Sequence, residues 1–144
     1  MSDIFQIRIY QEEDHEQLVN LWKTCGLVVH WNDPSKDIQR KVSRDPYGLL
    51  LGWLEQKLVA SVMAGYESHR GWINYLAVDA QFRQQGLGRK MMETAEAYLS
   101  NFECPKINLQ IRASNQEVID FYTNQGFLKD EVINMGKRLI PDDV

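Results

Sequence analysis

The stretch Asn74-Tyr75-Leu76-Ala77-Val78-Asp79-Ala80-Gln81-Phe82-Arg83-Gln84-Gln85-Gly86-Leu87-Gly88-Arg89-Lys90 changes character twice. It begins as an apolar strand and passes through a polar loop with Arg83-x-x-Gly86-x-Gly88. It then runs straight into a helix whose apolar face is Met91, Met92, Ala95, Leu99 and Phe102. Glycines let a backbone approach a ligand and turn its N–H groups inward, and a helix N-terminus presents the positive end of its dipole. Arg83, Arg89 and Lys90 add positive charge at the same place. Together these features make a pyrophosphate cradle; the plainer alternative is a tight strand-to-helix turn with a solvated basic rim. A Walker A loop is excluded because no Lys-Ser/Thr follows at its spacing. The dinucleotide fingerprint fails because Met91 stands where its third glycine belongs.

Upstream, Phe5 to Tyr10 alternates as a strand, and Leu18, Leu21, Trp22 and Cys25 recur at helical spacing before a stop at Gly26. Asp33-Pro34 is a strong helix start, carried on by Ile38 and Val42. Gly48 to Leu54 and Leu58 to Gly65, joined at Glu55 to Lys57, predict an antiparallel hairpin, and a third strand covers Trp72 to Asp79. Downstream, Cys104-Pro105 ends the long helix and Lys106 to Arg112 alternates as a strand. Ser114 and Glu117 suggest a capping box for a helix carrying Val118, Ile119 and Tyr122, closed by Gly126. A last strand is expected within Phe127 to Leu139, before a frayed acidic tail at Pro141-Asp142-Asp143. The order β, α, α, β, β, β, α, β, α, β predicts one α+β domain over residues 1–144, built on a mixed, mostly antiparallel sheet flanked by helices.

Charge and composition narrow the function. Sixteen Lys and Arg against twenty Asp and Glu give a net charge of -4 over 144 residues, a poor basis for gripping nucleic acid or an anionic membrane. Any anionic ligand must meet the local patch at 83 to 90. The longest apolar runs are strand-sized, and Met1 to Asp14 has no apolar core of a signal peptide, so a cytoplasmic protein is expected. Cys25 and Cys104 lack metal-ligand or disulfide spacing, so no metal site is expected, and both read as buried, inert thiols.

The strand, glycine loop and long helix, followed by Ile107 to Ile111 and Arg112-Ala113-Ser114-Asn115-x-x-x-Ile119-x-x-Tyr122-x-x-x-Gly126-Phe127, closely resemble the GNAT superfamily of acyl-CoA-dependent N-acetyltransferases. The resemblance spans the whole chain and is most specific over residues 72 to 127. Trp31-Asn32-Asp33-Pro34, His69-Arg70-Gly71, Cys104-Pro105-Lys106-Ile107 and Gly136-Lys137-Arg138-Leu139-Ile140 resemble its small stand-alone bacterial members of the YpeA type. The resemblance implies acetyl-CoA as cosubstrate. Backbone groups of Leu76, Ala77 and Val78 would meet its acetyl and pantetheine portion, and amides of Arg83, Gln84, Gln85, Gly86, Leu87, Gly88 and Arg89 its pyrophosphate. Asn115 would contact the pantetheine arm, and the Tyr122 hydroxyl would protonate the leaving thiolate. Tyr122 also fits a packed core tyrosine, and Asn115 a local turn residue.

The implied reaction is direct attack of an amine on the thioester carbonyl. A free lysine with a pKa of about 10.4 is mostly protonated at neutral pH, so a base or a water relay helps. Glu67 and His69 are the candidates; both also fit exposed turn residues. A covalent route through Cys25 or Cys104 is disfavoured, because helix C-terminal ends do not support a thiolate. On the acceptor side, Asp33 fits either a site for a cationic amine or a helix cap. Tyr47, Trp53 and Tyr66 fit either a cleft lining or the core. The acceptor is a small-molecule amine or a protein amine, since Arg112-Ala113-Ser114-Asn115 also resembles ribosomal-protein N-terminal acetyltransferases. A CoA-binding regulatory module and a plain interaction domain are the other classes. The family often forms dimers, so a homodimer is a further expectation. Only about a dozen residues follow Gly126-Phe127 before the tail, fewer than many relatives use for a last strand pair.

Overall fold

The computed structural model describes residues 4–142; Met1 to Asp3 and Asp143 of the acidic tail lie outside them. Its centre is the run Leu49-Leu50-Leu51-Gly52-Trp53-Leu54, which forms β2 (Leu49–Leu54). A run apolar at successive positions needs cover on both faces. β2 has it from helices on both sides of the sheet, and its edges pair with β1 (Phe5–Ile9) and β3 (Lys57–Tyr66) in a five-stranded sheet continued by β4 (Gly71–Val78) and β5 (Ile107–Leu109). All neighbours are antiparallel except β4 and β5.

Leu49, Leu51 and Trp53 pack on one face with Leu18, Leu21 and Trp22 of α1 (His15–Thr24) and Ile38 of α2 (Pro34–Arg44). On the other face, Leu50, Ala60, Val62 and Ile73 pack with Met91, Met92, Ala95 and Leu99 of α3 (Leu87–Ser100) and Tyr122 of α4 (Gln116–Thr123). The result is an α+β sandwich around a mixed sheet. Among the described residues no helix is long and apolar enough to cross a membrane.

Five sequence expectations need correction. The helix after Arg112 is capped by Asn115, whose side chain accepts from Val118 N at 3.3 Å. Ser114 and Glu117 do not form a capping box, because a start at Gln116 puts Glu117 one position too early. Phe102 is not on the apolar face of α3: the helix ends at Ser100, and Phe102 sits 47% exposed with its ring edge-on to Tyr98. Phe127 to Leu139 forms no strand: it lies near the Lys106 to Gln110 segment, which it meets through side chains and not through backbone bonds. The tail is not frayed at Asp142, its last described residue. Asp142 is buried and binds Arg40 Nη2 at 2.7 Å and the Asp33 N–H at 3.1 Å. Cys25 and Cys104 are half-buried, each with its thiol turned to a backbone carbonyl.

Candidate active site

The site begins with a break in the sheet. β4 pairs with β5 only from Gly71 to Ile73, so the edge of β4 beyond Ile73 faces no neighbouring strand. Opposite, the register with β3 slips between Ser61 and Met63, and Tyr75 takes φ +54°, a conformation costly for a bulky residue. Several contacts hold it there. Its ring stacks on Trp22 at 3.7 Å, its hydroxyl donates to Asp37 Oδ2 at 2.6 Å, and its carbonyl accepts from the buried Ser61 hydroxyl at 2.8 Å. Ser61 in turn accepts from Trp22 Nε1 at 2.9 Å. Burial, and then the bond to Asp37, push the Tyr75 hydroxyl well above its ordinary pKa, so it stays protonated.

The glycine loop follows from the lower end of β4. Arg83 is tethered by its Nε to the Val78 carbonyl at 3.0 Å, Gln84 takes φ +63°, and Gly86 takes φ +79° as the N-cap of α3. Gly86 has open space where a Cβ would point. The first helical bond runs from Lys90 N to Gly86 O at 3.1 Å, so the amides of the first turn lie ahead of the helical ladder. Arg83, Gln84, Gln85, Gly86 and Arg89 are exposed, whereas Leu87 is buried and anchors the turn. Gly88 is where three elements meet: a Cβ there would lie 3.1 Å from Phe121 of α4 and 3.7 Å from Val78 of β4. An exposed loop ahead of a helix whose first amides lie outside the ladder can receive a pyrophosphate, and the open edge of β4 beside it an extended pantetheine arm.

Tyr122 is buried against Phe121 and Phe127, in the cluster against which Leu76 and Val78 pack. Burial alone raises its hydroxyl well above the ordinary tyrosine value. Asn115, at the start of the same helix, spends its side-chain oxygen on the cap and keeps its amide nitrogen. Thus β4, the glycine loop and α4 meet at Leu76, Val78, Gly88, Phe121 and Tyr122, while Asn115 stands exposed at the start of α4.

The base candidates sit apart, on the turn after β3. Glu67 Oε1 accepts from His69 N at 2.5 Å and Arg70 N at 2.6 Å, and these backbone bonds hold the carboxyl below its ordinary range. Glu67 lines a groove of about 2000 Å³ with Trp31, Asp37, Tyr66, Asn74 and Tyr75, whereas His69 is exposed and outside that lining. Asp33 is a cap, accepting from Ser35 N at 2.9 Å and Lys36 N at 3.4 Å. Trp53 belongs to the core and Tyr47 is exposed away from the groove. Sequence reasoning missed Trp22, Ser61 and Asp37. The one available signal was Ser61, a lone hydroxyl inside the apolar run Leu58 to Ala64.

A mixed sheet that splits after an antiparallel meander, with a glycine-capped helix at the split, is the architecture that the resemblance to the acyl-CoA-dependent transferases implies. The sequence profile of the Acetyltransferase (GNAT) family matches residues 8–127, and the chain belongs to that family. It is an acetyl-CoA-dependent N-acetyltransferase. An acetyltransferase of Sodalis glossinidius is 38% identical over 138 residues, covering 95% of this chain and 97% of that protein. One from Yersinia enterocolitica is 39% identical over 137 residues, with the same coverage. Among solved structures, the aminoglycoside N-acetyltransferase AAC(6')-Iy in complex with CoA superposes with a TM-score of 0.78 at 14% identity, covering 97% of this chain and 98% of that one. Ard1 from Thermoplasma volcanium gives 0.73 at 19% identity, covering 86% and 82%.

Proposed function

We propose that this chain, as one catalytic domain over residues 1–144, acetylates a primary amine of a small molecule, protein or peptide by direct attack. It works in the cytoplasm, without nucleic acid or membrane, as a homodimer. The observation that carries the reading is the split between β4 and β5 opening beside the Gly86-capped end of α3. Bound acetyl-CoA supplies an activated thioester carbonyl.

The chain's own groups do the rest. Amides of Arg83 to Arg89 and the side chains of Arg83 and Arg89 hold the pyrophosphate, and the Asn115 amide nitrogen holds the pantetheine arm. Backbone N–H groups along Leu76, Ala77 and Val78 polarise the carbonyl oxygen as an oxyanion site does. Tyr122 keeps its proton until the thiolate leaves, which the raised hydroxyl supports. Either Glu67, which lines the groove, or His69 on the same turn receives the amine's proton. Glu67 acts through water and also draws in the ammonium, since its backbone bonds favour the carboxylate form.

The test is thermal unfolding with acetyl-CoA at about 100 times its dissociation constant, where binding adds about 2.7 kcal/mol and raises Tm by several degrees. Thiol release is then followed across a panel of amines and peptide N-termini. A folded protein with no shift opposes the reading, and a shift without thiol release from any amine supports a CoA-binding module instead.

A further inference from the structure

Arg40 on α2 serves two carboxylates. Its Nη2 donates to Asp142 Oδ1 at 2.7 Å and its Nη1 to Asp142 Oδ2 at 3.3 Å, while the same Nη1 also reaches Asp37 Oδ1 at 3.3 Å. The two holds differ in quality. Asp142 is buried, takes both nitrogens and has the Asp33 N–H as its other donor, whereas Asp37, one helical turn away, holds a single nitrogen at a distance longer than the usual range. Arg40 itself is half exposed beside a hollow lined by residues 136 to 140. Among the described residues, these two carboxylates are the only groups that hold its guanidinium.

Asp37 has a second task. Its Oδ2 accepts from the Tyr75 hydroxyl at 2.6 Å, and Tyr75 is the left-handed residue where the register of β4 on β3 slips. A bulge re-aims the backbone that follows it. Here that backbone is Leu76, Ala77 and Val78, along the open edge of β4. Trp22 and Ser61 hold the ring and the carbonyl of Tyr75 from the core, but its hydroxyl is held from α2. A line of three charged side chains, Asp142, Arg40 and Asp37, therefore runs from the last described residue to the strand that meets the thioester.

Losing Asp142 changes the balance at Arg40. The guanidinium then has one anionic neighbour left, at i−3 on its own helix, and the strong way to hold a carboxylate is a fork on both oxygens. Asp37 Oδ2, the oxygen that Tyr75 uses, is drawn toward Arg40 and off the hydroxyl. We propose that Asp142 and Arg40 are positioning residues for acetyl transfer: Asp142 forks Arg40 and so leaves the Asp37 carboxylate on Tyr75, which fixes the bulge that aims the N–H groups of Leu76, Ala77 and Val78. The inference rests on the acetyl-transfer reading of that strand. Displacing the last residues lowers turnover without emptying the cofactor cradle, which the 83 to 89 loop and α3 build.

Two measurements on the full chain test it: the amide NMR shifts of Tyr75 to Val78 without ligand, and thiol release from acetyl-CoA with water as the acceptor. Asp142→Ala is expected to move those amides and to slow thiol release by about tenfold, less than the 10²–10³ lost with an oxyanion donor outright, at an unchanged acetyl-CoA dissociation constant. Asp37→Asn keeps an oxygen for Tyr75 but no charge for Arg40, so Asp142→Ala should add nothing in that background. Tyr75→Phe keeps the ring and has no hydroxyl to lose, so Asp142→Ala should add nothing there either. A loss that persists undiminished in both backgrounds assigns Asp142 to tail packing alone and overturns the proposal. So do Tyr75 to Val78 amides that stay in place in Asp142→Ala. A wild type that binds acetyl-CoA but releases no thiol, to water or to any amine, fails the acetyl-transfer reading instead, and the amide shifts then decide whether the line from Asp142 to Tyr75 exists.

Discussion

Tyr122 and Gly86 carry opposite kinds of information. Tyr122 is a tyrosine whose burial both packs it and keeps its proton, so the core and acid roles do not compete. Replacing it with Phe is expected to lower kcat by about 10²–10⁴, the range for a lost general acid, with acetyl-CoA affinity unchanged. Because burial raises its hydroxyl, the wild-type rate should show no alkaline decline from this group up to the ordinary tyrosine range. Steady-state kinetics across pH, beside the Phe variant, checks both points. Gly86 contributes only backbone. At φ +79° a β-branched side chain is strained by about 1–2 kcal/mol. Gly86→Val should therefore relax the loop toward negative φ and abolish the acetyl-CoA-induced rise in Tm while the circular dichroism of the fold persists.

At the scale of elements, what was legible in the sequence was what depends on near neighbours. The hairpin, the Asp33 cap, the Gly26 and Gly126 stops and the apolar face of α3 rest on periodicity and turn chemistry, which act over a few residues. The cradle was legible for the same reason. The bulge at Tyr75 was not. It depends on Trp22 and Ser61 meeting across 39 positions and on Asp37 arriving from α2. Nor was the absence of the last strand legible, because alternation records only the capacity to pair and not whether backbone bonds form. Ser61→Ala is expected to orphan Trp22 Nε1 and the Tyr75 carbonyl, at on the order of 1–3 kcal/mol for each buried group left unpaired. Urea unfolding measures that loss. Because the same bond helps hold the split open, activity per folded molecule should fall as well. A Ser61→Ala protein with unchanged midpoint and turnover would remove the bridge from the account of the site.

At the scale of the whole molecule, the end of the chain is tied back to its beginning. Asp142 meets Arg40 and the Asp33 N–H over more than a hundred positions, closing a long loop whose middle is the unpaired 128–140 run. The Arg40 guanidinium first, and then the Asp33 amide, hold the Asp142 carboxyl down to about 2 from an ordinary 3.8. A carboxyl whose pKa falls on folding favours the folded state while it is ionised. The clasp is therefore complete above about pH 4 and fades as pH falls from there toward 2. Acid should release the tail without first unfolding the sheet, because Asp142 itself is the one buried carboxylate among the described residues. Pepsin cleavage within residues 128–142 should rise steeply across that window, and the Asp142 carboxyl followed by NMR should titrate at its lower end. Asp142→Asn should leave the tail equally open to a neutral protease at pH 7. An Asp142 titrating at its ordinary value would make the clasp a contact without consequence. A depressed one would mean that the 128–140 run is held between two fixed ends, at the Phe127 end of α4 and at Arg40, so that releasing the Arg40 end alone frees the whole run.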